Sequence, residues 1–226
     1  MAKNDNKVTV VIPAYNEAKT IEHVINDIKK YADDVLVVLA KKSKDGTINI
    51  LKRMKVKYII DSGLGKGAGI RLAISKVNEG IIVFIDADGS HIPADIPKLV
   101  DPIKKGKADL VIASRVTGGS DEFTGNMDSF MRSFFNIVIC IIINLRFNNR
   151  ISDYENGFRA IRVKVAKKLN LKEKNFTIEQ EMAMKTMKKG YRVAEVPSHE
   201  LDGGKSSYNV WKVGPRFLYQ LFRDLF

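Results

Sequence analysis

Asp86 and Asp88 stand one residue apart at the end of an apolar run, Ile81-Ile82-Val83-Phe84-Ile85, and of all the side chains in the sequence they best suit a divalent cation. In an extended backbone, positions two apart point to the same side, so both carboxylates are expected to aim at one spot. Hard oxygen ligands suit Mg²⁺ or Mn²⁺, ions that commonly join protein acids to the phosphates of a nucleotide. Ser90 and His91 follow closely enough to contribute directly or through water. The plainer reading is a strand that runs into an acidic turn, because Asp and Gly are ordinary turn residues.

Such a pair needs a rigid support, and the hydrophobic pattern supplies one. Strands are expected over 8–12, 35–39, 56–60, 81–85 and 110–113, with helices over 17–31, 47–54, 68–77 and 94–104. This alternation predicts an α/β fold with right-handed crossovers and a mostly parallel sheet flanked by helices. Ligands then bind where the strands end at their carboxyl edge. Three more loops fall there. Pro13-Ala14-Tyr15-Asn16-Glu17 ends the first strand and offers a flat ring and an acceptor for a base and ribose, although Asn16 also reads as a helix cap. Ala40-Lys41-Lys42-Ser43-Lys44 is basic, and Gly63-Leu64-Gly65-Lys66-Gly67 leads into a helix, bringing amides and Lys66 towards phosphate. Gly63, Gly65 and Ala68 also fit a loose dinucleotide-binding spacing, but that fingerprint normally follows the first strand of its fold, and it leaves Asp88 without a task.

With 226 residues and 45% hydrophobic content, the chain can bury a core as one large domain. A net charge of +12 favours phosphate, nucleic acid or an anionic membrane surface as partner. Cys140 is the single cysteine, so no internal disulfide forms, and a reducing compartment is expected. The polar residues 1–7 carry no apolar signal core, and no run reaches the roughly 18 uninterrupted apolar residues of a clear membrane span.

Taken together, these segments resemble a family-2 glycosyltransferase of the GT-A fold, closest to the dolichyl-phosphate hexose synthases. Val11-Ile12-Pro13-Ala14-Tyr15-Asn16-Glu17 is similar to the opening nucleotide-binding motif of that family, and Asp86-Ala87-Asp88 to its metal-binding D-x-D. Ala113-Ser114-Arg115 with Gly118-Gly119, Asn156-Gly157-Phe158-Arg159 preceded by Asp153, and residues 176–181 with 190–197 resemble its later motifs. The resemblance implies a single domain over 1–226, with a nucleotide-sugar half (1–93) and an acceptor half (94–226). It implies that Pro13, Tyr15, Glu17, Ser43, Lys66 and Asp86 serve a UDP- or GDP-sugar, and that Asp86, Asp88 and Ser90 hold Mg²⁺ or Mn²⁺. Two departures stand out. Ala40-Lys41-Lys42-Ser43 replaces the family's acidic segment, and Lys205 lies where a displaced basic group is expected.

The implied reaction moves a hexose or N-acetylhexosamine to dolichyl or another polyprenyl phosphate with inversion. A phosphate acceptor is already largely anionic at neutral pH, its second pKa being about 6, so no strong base is needed. Arginine forks suit two assembled anions; of the cluster Arg115, Arg132, Arg146, Arg150, Arg159 and Arg162, Arg115 and Arg132 are expected on the acceptor phosphate, with Lys205, and several of the rest are expected to be solvated surface. A saccharide or protein hydroxyl as acceptor would instead need a carboxylate base, Asp153 or Glu181. The apolar stretch 134–145, with arginines at its ends, reads either as an interfacial helix or as a core helix, and the aromatic, basic tail 211–226 as interfacial or as an oligomer contact. The enzyme is thus expected on the cytoplasmic face of a membrane, held peripherally or by an anchor beyond the sequence. Binding to nucleic acid lacks any zinc-ligand spacing, aromatic RNA motif or basic heptad pattern.

Overall fold

The β-branched runs become strands of one seven-stranded sheet, seen in a computed structural model that describes residues 5–121, 127–202 and 219–224, the side chains of 127–133 and 135 excepted. In chain order the elements are β1 (Val8–Ala14), α1 (Ile21–Ile28), β2 (Asp34–Leu39), α2 (Thr47–Arg53), β3 (Lys57–Ile60), α3 (Lys66–Lys76) and β4 (Ile81–Phe84). A 3-10 turn at Pro93–Asp95 leads to α4 (Ile96–Lys104), β5 (Leu110–Ser114), the single-turn α5 (Arg115–Gly118) and the long α6 (Met127–Phe147). β6 (Arg159–Arg162), α7 (Val163–Lys168), α8 (Ile178–Lys188) and β7 (Val193–Pro197) follow, and residues 219–224 are helical.

The strand order is β3-β2-β1-β4-β6-β5-β7. All strands run the same way except β6, which lies antiparallel between β4 and β5. The mostly parallel sheet is therefore as expected, while β6 was not legible. Its four residues, Arg-Ala-Ile-Arg, begin and end on a charge, which hides the apolar signature of a central strand.

Helices cover both faces, so each strand buries alternate side chains in opposite directions. Val10, Ile12, Val37 and Val83 meet α1, α2 and α4, whereas Val11, Val38, Ile82 and Phe84 meet α3, α6, α7 and α8. Ile21, Val24, Ile25 and Ile28 of α1 are spaced to present one stripe to the first of these cores. Each such aliphatic side chain, fully buried, contributes about 1.5–3 kcal/mol.

Two local expectations need correction. The first helix begins at Ile21, not Glu17, because the preceding loop has other partners. Asn16 adopts a left-handed φ of 58° and uses its side chain to accept from the Lys44 N–H at 2.8 Å, so it does not cap the helix. Pro13 does not stop β1 either; it pairs in register with Val38. The ladder to β4 has already ended at Val11, so the missing proline N–H falls where β1 has only one neighbour.

The core-helix reading of the apolar stretch 134–145 holds for one side of α6, and the other side is left exposed. Ile139, Cys140 and Ile143 are buried, while Phe134, Ile137, Ile141 and Leu145 are exposed at helical spacing. Burial pushes the Cys140 thiol up to about 12, which leaves it an inert core group. Among the described residues, no helix is long and apolar enough to cross a membrane.

Candidate active site

The backbone leaves the sheet after β4 and delivers Asp86 into a cluster of charges. Lys66, the first residue of α3, places Nζ 2.8 Å from Asp86 Oδ1 and 3.1 Å from Oδ2. The same ammonium lies 3.1 Å from Glu179 Oε1, in the first turn of α8. His91 Nε2 stands 3.8 Å from Asp86 Oδ2, its ring stacked on Phe158. Burial alone would push the Asp86 carboxyl up, but Lys66 and His91 outweigh it and hold the group well below the usual carboxylate range. Burial likewise disfavours the Lys66 charge, and Asp86 and Glu179 overcome that and raise it.

Asp88 closes a tight turn, accepting from the Ser90 amide at 3.0 Å and from its hydroxyl at 2.8 Å. The acidic-turn reading is thus correct as local geometry, and Oδ2 of Asp88 lies outside these bonds. Glu17 faces the same crevice. Burial and the charges of Asp88, Asp45 and Asp86 push its carboxyl up, against a lowering hydrogen bond from Thr20. The loops after β1 and β2 are laced together: Glu17 N–H donates to Thr47 Oγ1, Ala18 N–H to Asp45 Oδ2, and Asn16 N–H to Ser43 Oγ. Ser43 therefore serves loop geometry, and Tyr15 is left exposed beside it. Next to these loops, Lys41, Ser43, Lys44, Thr47 and Ile60 line a groove of about 280 Å³.

Among the described residues, no three His, Cys, Asp or Glu side chains are grouped to cage a metal. Asp88 is the freest donor, Asp86 is shared with Lys66, and the Ser90 hydroxyl is committed to Asp88. So sparse an oxygen set fits a hard cation that keeps water or phosphate ligands, as Mg²⁺ commonly does, rather than one held by protein alone.

The loop before β6 closes the site. A Cβ on Gly157 would come within 2.9 Å of Asp86 Oδ2 and 3.1 Å of Lys66 Nζ. Both are tips of movable side chains, so Gly157→Ala is expected to fold but to push this ion pair aside. Isothermal titration should then show weaker nucleoside diphosphate binding, with a melting temperature close to wild type. Unchanged affinity would mean that the pair does not touch the ligand.

The other expected residues are placed as follows. Arg115 is held by Asp153 through Nε (2.6 Å), Nη2 (2.8 Å) and its own backbone N–H (3.2 Å), and it reaches Glu200 at 3.4 Å. Asp153 is fully buried; burial would raise its carboxyl, but Arg115 holds it below the usual range, so it is a poor proton acceptor. Glu181 stands in a separate buried network, accepting from the amides of Lys172 and Glu173 and paired with Lys185 and Arg223. Its neighbour two positions back, Glu179, is the one that faces Lys66, because a helix turns about 200° over two residues. Arg159 is not a surface phosphate ligand; it is buried and donates to the carbonyls of Tyr154, Asn156 and Glu179. Arg162, at the end of β6, pairs with Asp109 and donates to the Ile103 carbonyl. The Arg132 side chain, Lys205 and residues 203–218 lie outside the described residues.

An acidic pair at the carboxyl edge of a mostly parallel sheet, in a crevice bordered by the loops after β1, β2 and β3, is the arrangement of GT-A nucleotide-sugar transferases. Residues 9–169 match the family described as Glycosyl transferase family 2, and the chain belongs to that family. It is therefore a glycosyltransferase. It is 27% identical over 217 residues to the UDP-N-acetylglucosamine--dolichyl-phosphate N-acetylglucosaminyltransferase of Methanococcus voltae, covering 85% of each chain. It is 30% identical over 201 residues to the dolichol-phosphate mannosyltransferase of Pyrococcus furiosus, with 84% of this chain and 55% of that one aligned. The fold also matches glucosyl-3-phosphoglycerate synthase from Mycobacterium tuberculosis, solved with Mn²⁺, uridine diphosphate and phosphoglyceric acid, at a TM-score of 0.75. That match has 19% identity and covers 97% of this chain and 78% of the other.

The dinucleotide-binding alternative fails on position. Its glycines follow β3, the edge strand, and the space beside Gly65 is filled by Asn175, whose Oδ1 a Cβ there would strike.

Proposed function

We propose that this glycosyltransferase moves a hexose or N-acetylhexosamine from a UDP- or GDP-sugar to dolichyl phosphate or a related polyprenyl phosphate, with inversion. The observation that carries the choice of acceptor is the state of Asp153. A carboxylate gripped by Arg115 and kept ionised cannot readily take a proton from a sugar hydroxyl, whereas a phosphate acceptor needs no such base. The names of the Methanococcus and Pyrococcus relatives support the same acceptor class.

In this reading one domain divides its labour, residues 1–93 serving the donor and 94–226 the acceptor. Tyr15 and the loops tied by Asn16, Ser43 and Thr47 border the nucleoside, and Lys66 meets the diphosphate. Asp88, with Asp86 and Ser90 at hand, would hold Mg²⁺ or Mn²⁺, which when bound neutralises charge on the departing diphosphate. Arg115, oriented by Asp153 and Glu200, turns its remaining donor capacity towards the acceptor phosphate. Arg132 and Lys205 are carried as further candidates for that anion.

A labelled-donor assay with extracted or synthetic polyprenyl phosphate tests the proposal. Transfer into the organic phase is the expected result; label that moves only to soluble saccharide or protein would reject it. The exposed stripe Phe134, Ile137, Ile141 and Leu145 of α6, in a chain of net charge +12, suits the surface of an anionic bilayer, here read as the cytoplasmic face. Wild-type protein is expected to sediment with vesicles containing anionic lipid, and the pair Ile141→Asp with Leu145→Asp to stay in the supernatant. Equal sedimentation of both would remove α6 from the membrane contact.

A further inference from the structure

Glu179 is a buried carboxylate with too few partners. Only 3% of the residue is exposed, and among the described residues neither oxygen has a well-directed hydrogen bond. Among the described residues its ion pair is with the Lys66 ammonium, 3.1 Å from Oε1, and the buried Arg159 guanidinium is near enough to feel its charge. A buried carboxylate with so few hydrogen bonds costs stability. Its backbone is pinned, because the buried Arg159 donates to the Glu179 carbonyl at 2.6 Å. Lys66 is pinned as well: the Ala68 N–H donates to the Lys174 carbonyl at 3.1 Å, and the space beside Gly67 is closed by the carbonyls of Glu173 and Asn175. The ammonium is thus suspended between two carboxylates, one partly open to the crevice and one sealed inside the protein.

These two carboxylates have different futures when a donor arrives. Asp86 opens on the crevice and is next to Asp88, so a ligand or cation can draw it away from Lys66. Glu179 is buried, out of reach of a ligand or cation in the crevice. We propose that Glu179 is a positioning residue that retains the Lys66 ammonium at the crevice wall when Asp86 changes partner, so that the lysine stays aimed at the diphosphate of the bound nucleotide. Without Glu179, Lys66 would fall wholly to Asp86, blocking that carboxylate and withdrawing a cation from the phosphates. This inference rests on the reading of the crevice as a nucleotide-sugar site and assigns its charge arrangement one step further.

The test measures binding rather than turnover. UDP and GDP, each compared with uridine and guanosine, are titrated by calorimetry into wild type, Glu179→Gln, Lys66→Met and the double variant, with Mn²⁺ present. Wild type is expected to prefer one diphosphate strongly over its nucleoside. Glu179→Gln should lose roughly tenfold or more of the diphosphate affinity while binding the nucleoside as before. Lys66→Met should show the same selective loss, and the double variant no further loss, because the glutamate acts through the lysine. Additive losses, or a Glu179→Gln protein with wild-type diphosphate affinity, would overturn the inference while leaving the nucleotide site intact. Should Glu179→Gln fail to fold, Glu179→Asp takes its place, and unchanged diphosphate affinity there, or in Lys66→Met, counts equally against the idea. A wild type that binds neither diphosphate better than its nucleoside would remove the proposed function itself, and the inference with it.

Discussion

Replacing Asp88 by Asn is expected to lower kcat/KM for sugar transfer by roughly a hundred- to a thousandfold, about 3–4 kcal/mol of transition-state stabilisation, with little change in stability. The folded structure asks little of this side chain. Its bonds are to the amide and hydroxyl of Ser90, two positions along, and an asparagine oxygen accepts both. What the substitution removes is a negative charge, the one proposed to hold a divalent cation. Asp86→Asn removes a charge too, but it also strips Lys66 of one of its two carboxylates, so that variant should lose stability as well as activity. The contrast separates the two acids: a stable, inactive Asp88→Asn beside a destabilised Asp86→Asn. Chemical denaturation together with single-turnover transfer reads both quantities. An Asp88→Asn enzyme of wild-type rate would show that this carboxylate takes no part in the departure of the diphosphate.

Residues 1–93 were more legible in the sequence than residues 94–226, for reasons that lie in how each part is built. β1 to β4 are runs of Val and Ile with short loops, so hydrophobic period, strand direction and the loop edge all follow from local pattern. The acid pair could be placed at that edge before any coordinates. What a one-dimensional pattern could not supply was the partner of each charge. Lys66 meets Glu179, 113 positions further along the chain, through the junction of α3 with α8. The choice between Glu179 and Glu181 depends on which side of α8 faces the sheet, and both flank Gln180 in a helix that is buried nearly all round. Asp153 read as a possible base because burial and pairing with Arg115 are invisible in sequence. The same holds for Arg159, one of a cluster expected to include solvated surface, whose burial makes it a strut for three backbone carbonyls.

Asp153 also carries the largest expected effect on stability. Asp153→Ala leaves Arg115 without its bidentate partner in a site where the carboxylate is fully buried, and breaking a buried pair from one side costs about 3–5 kcal/mol. The loop around it is cross-linked: the Ser152 hydroxyl donates to Glu195 at 2.8 Å and shares a hydrogen bond with Ser114, while Asn144 accepts from the Ile151 N–H. Loss of the aspartate should therefore leave the loop standing but free Arg115 to turn. The pH dependence fixes the sign. A carboxyl whose folded pKa lies below its unfolded value of about 3.9 adds stability in full above that value and loses it as pH falls through the folded pKa. The gap between wild type and Asp153→Ala in urea denaturation should accordingly be widest near neutrality and narrow in the acid range below about pH 4. Kinetics then distinguish positioning from base catalysis. If Asp153 orients Arg115 towards an anionic acceptor, the conservative Asp153→Asn should raise the acceptor KM more than it lowers kcat, whereas a general base would lose kcat with KM preserved. The second pattern would reverse the assignment of the acceptor and restore a hydroxyl in place of the phosphate.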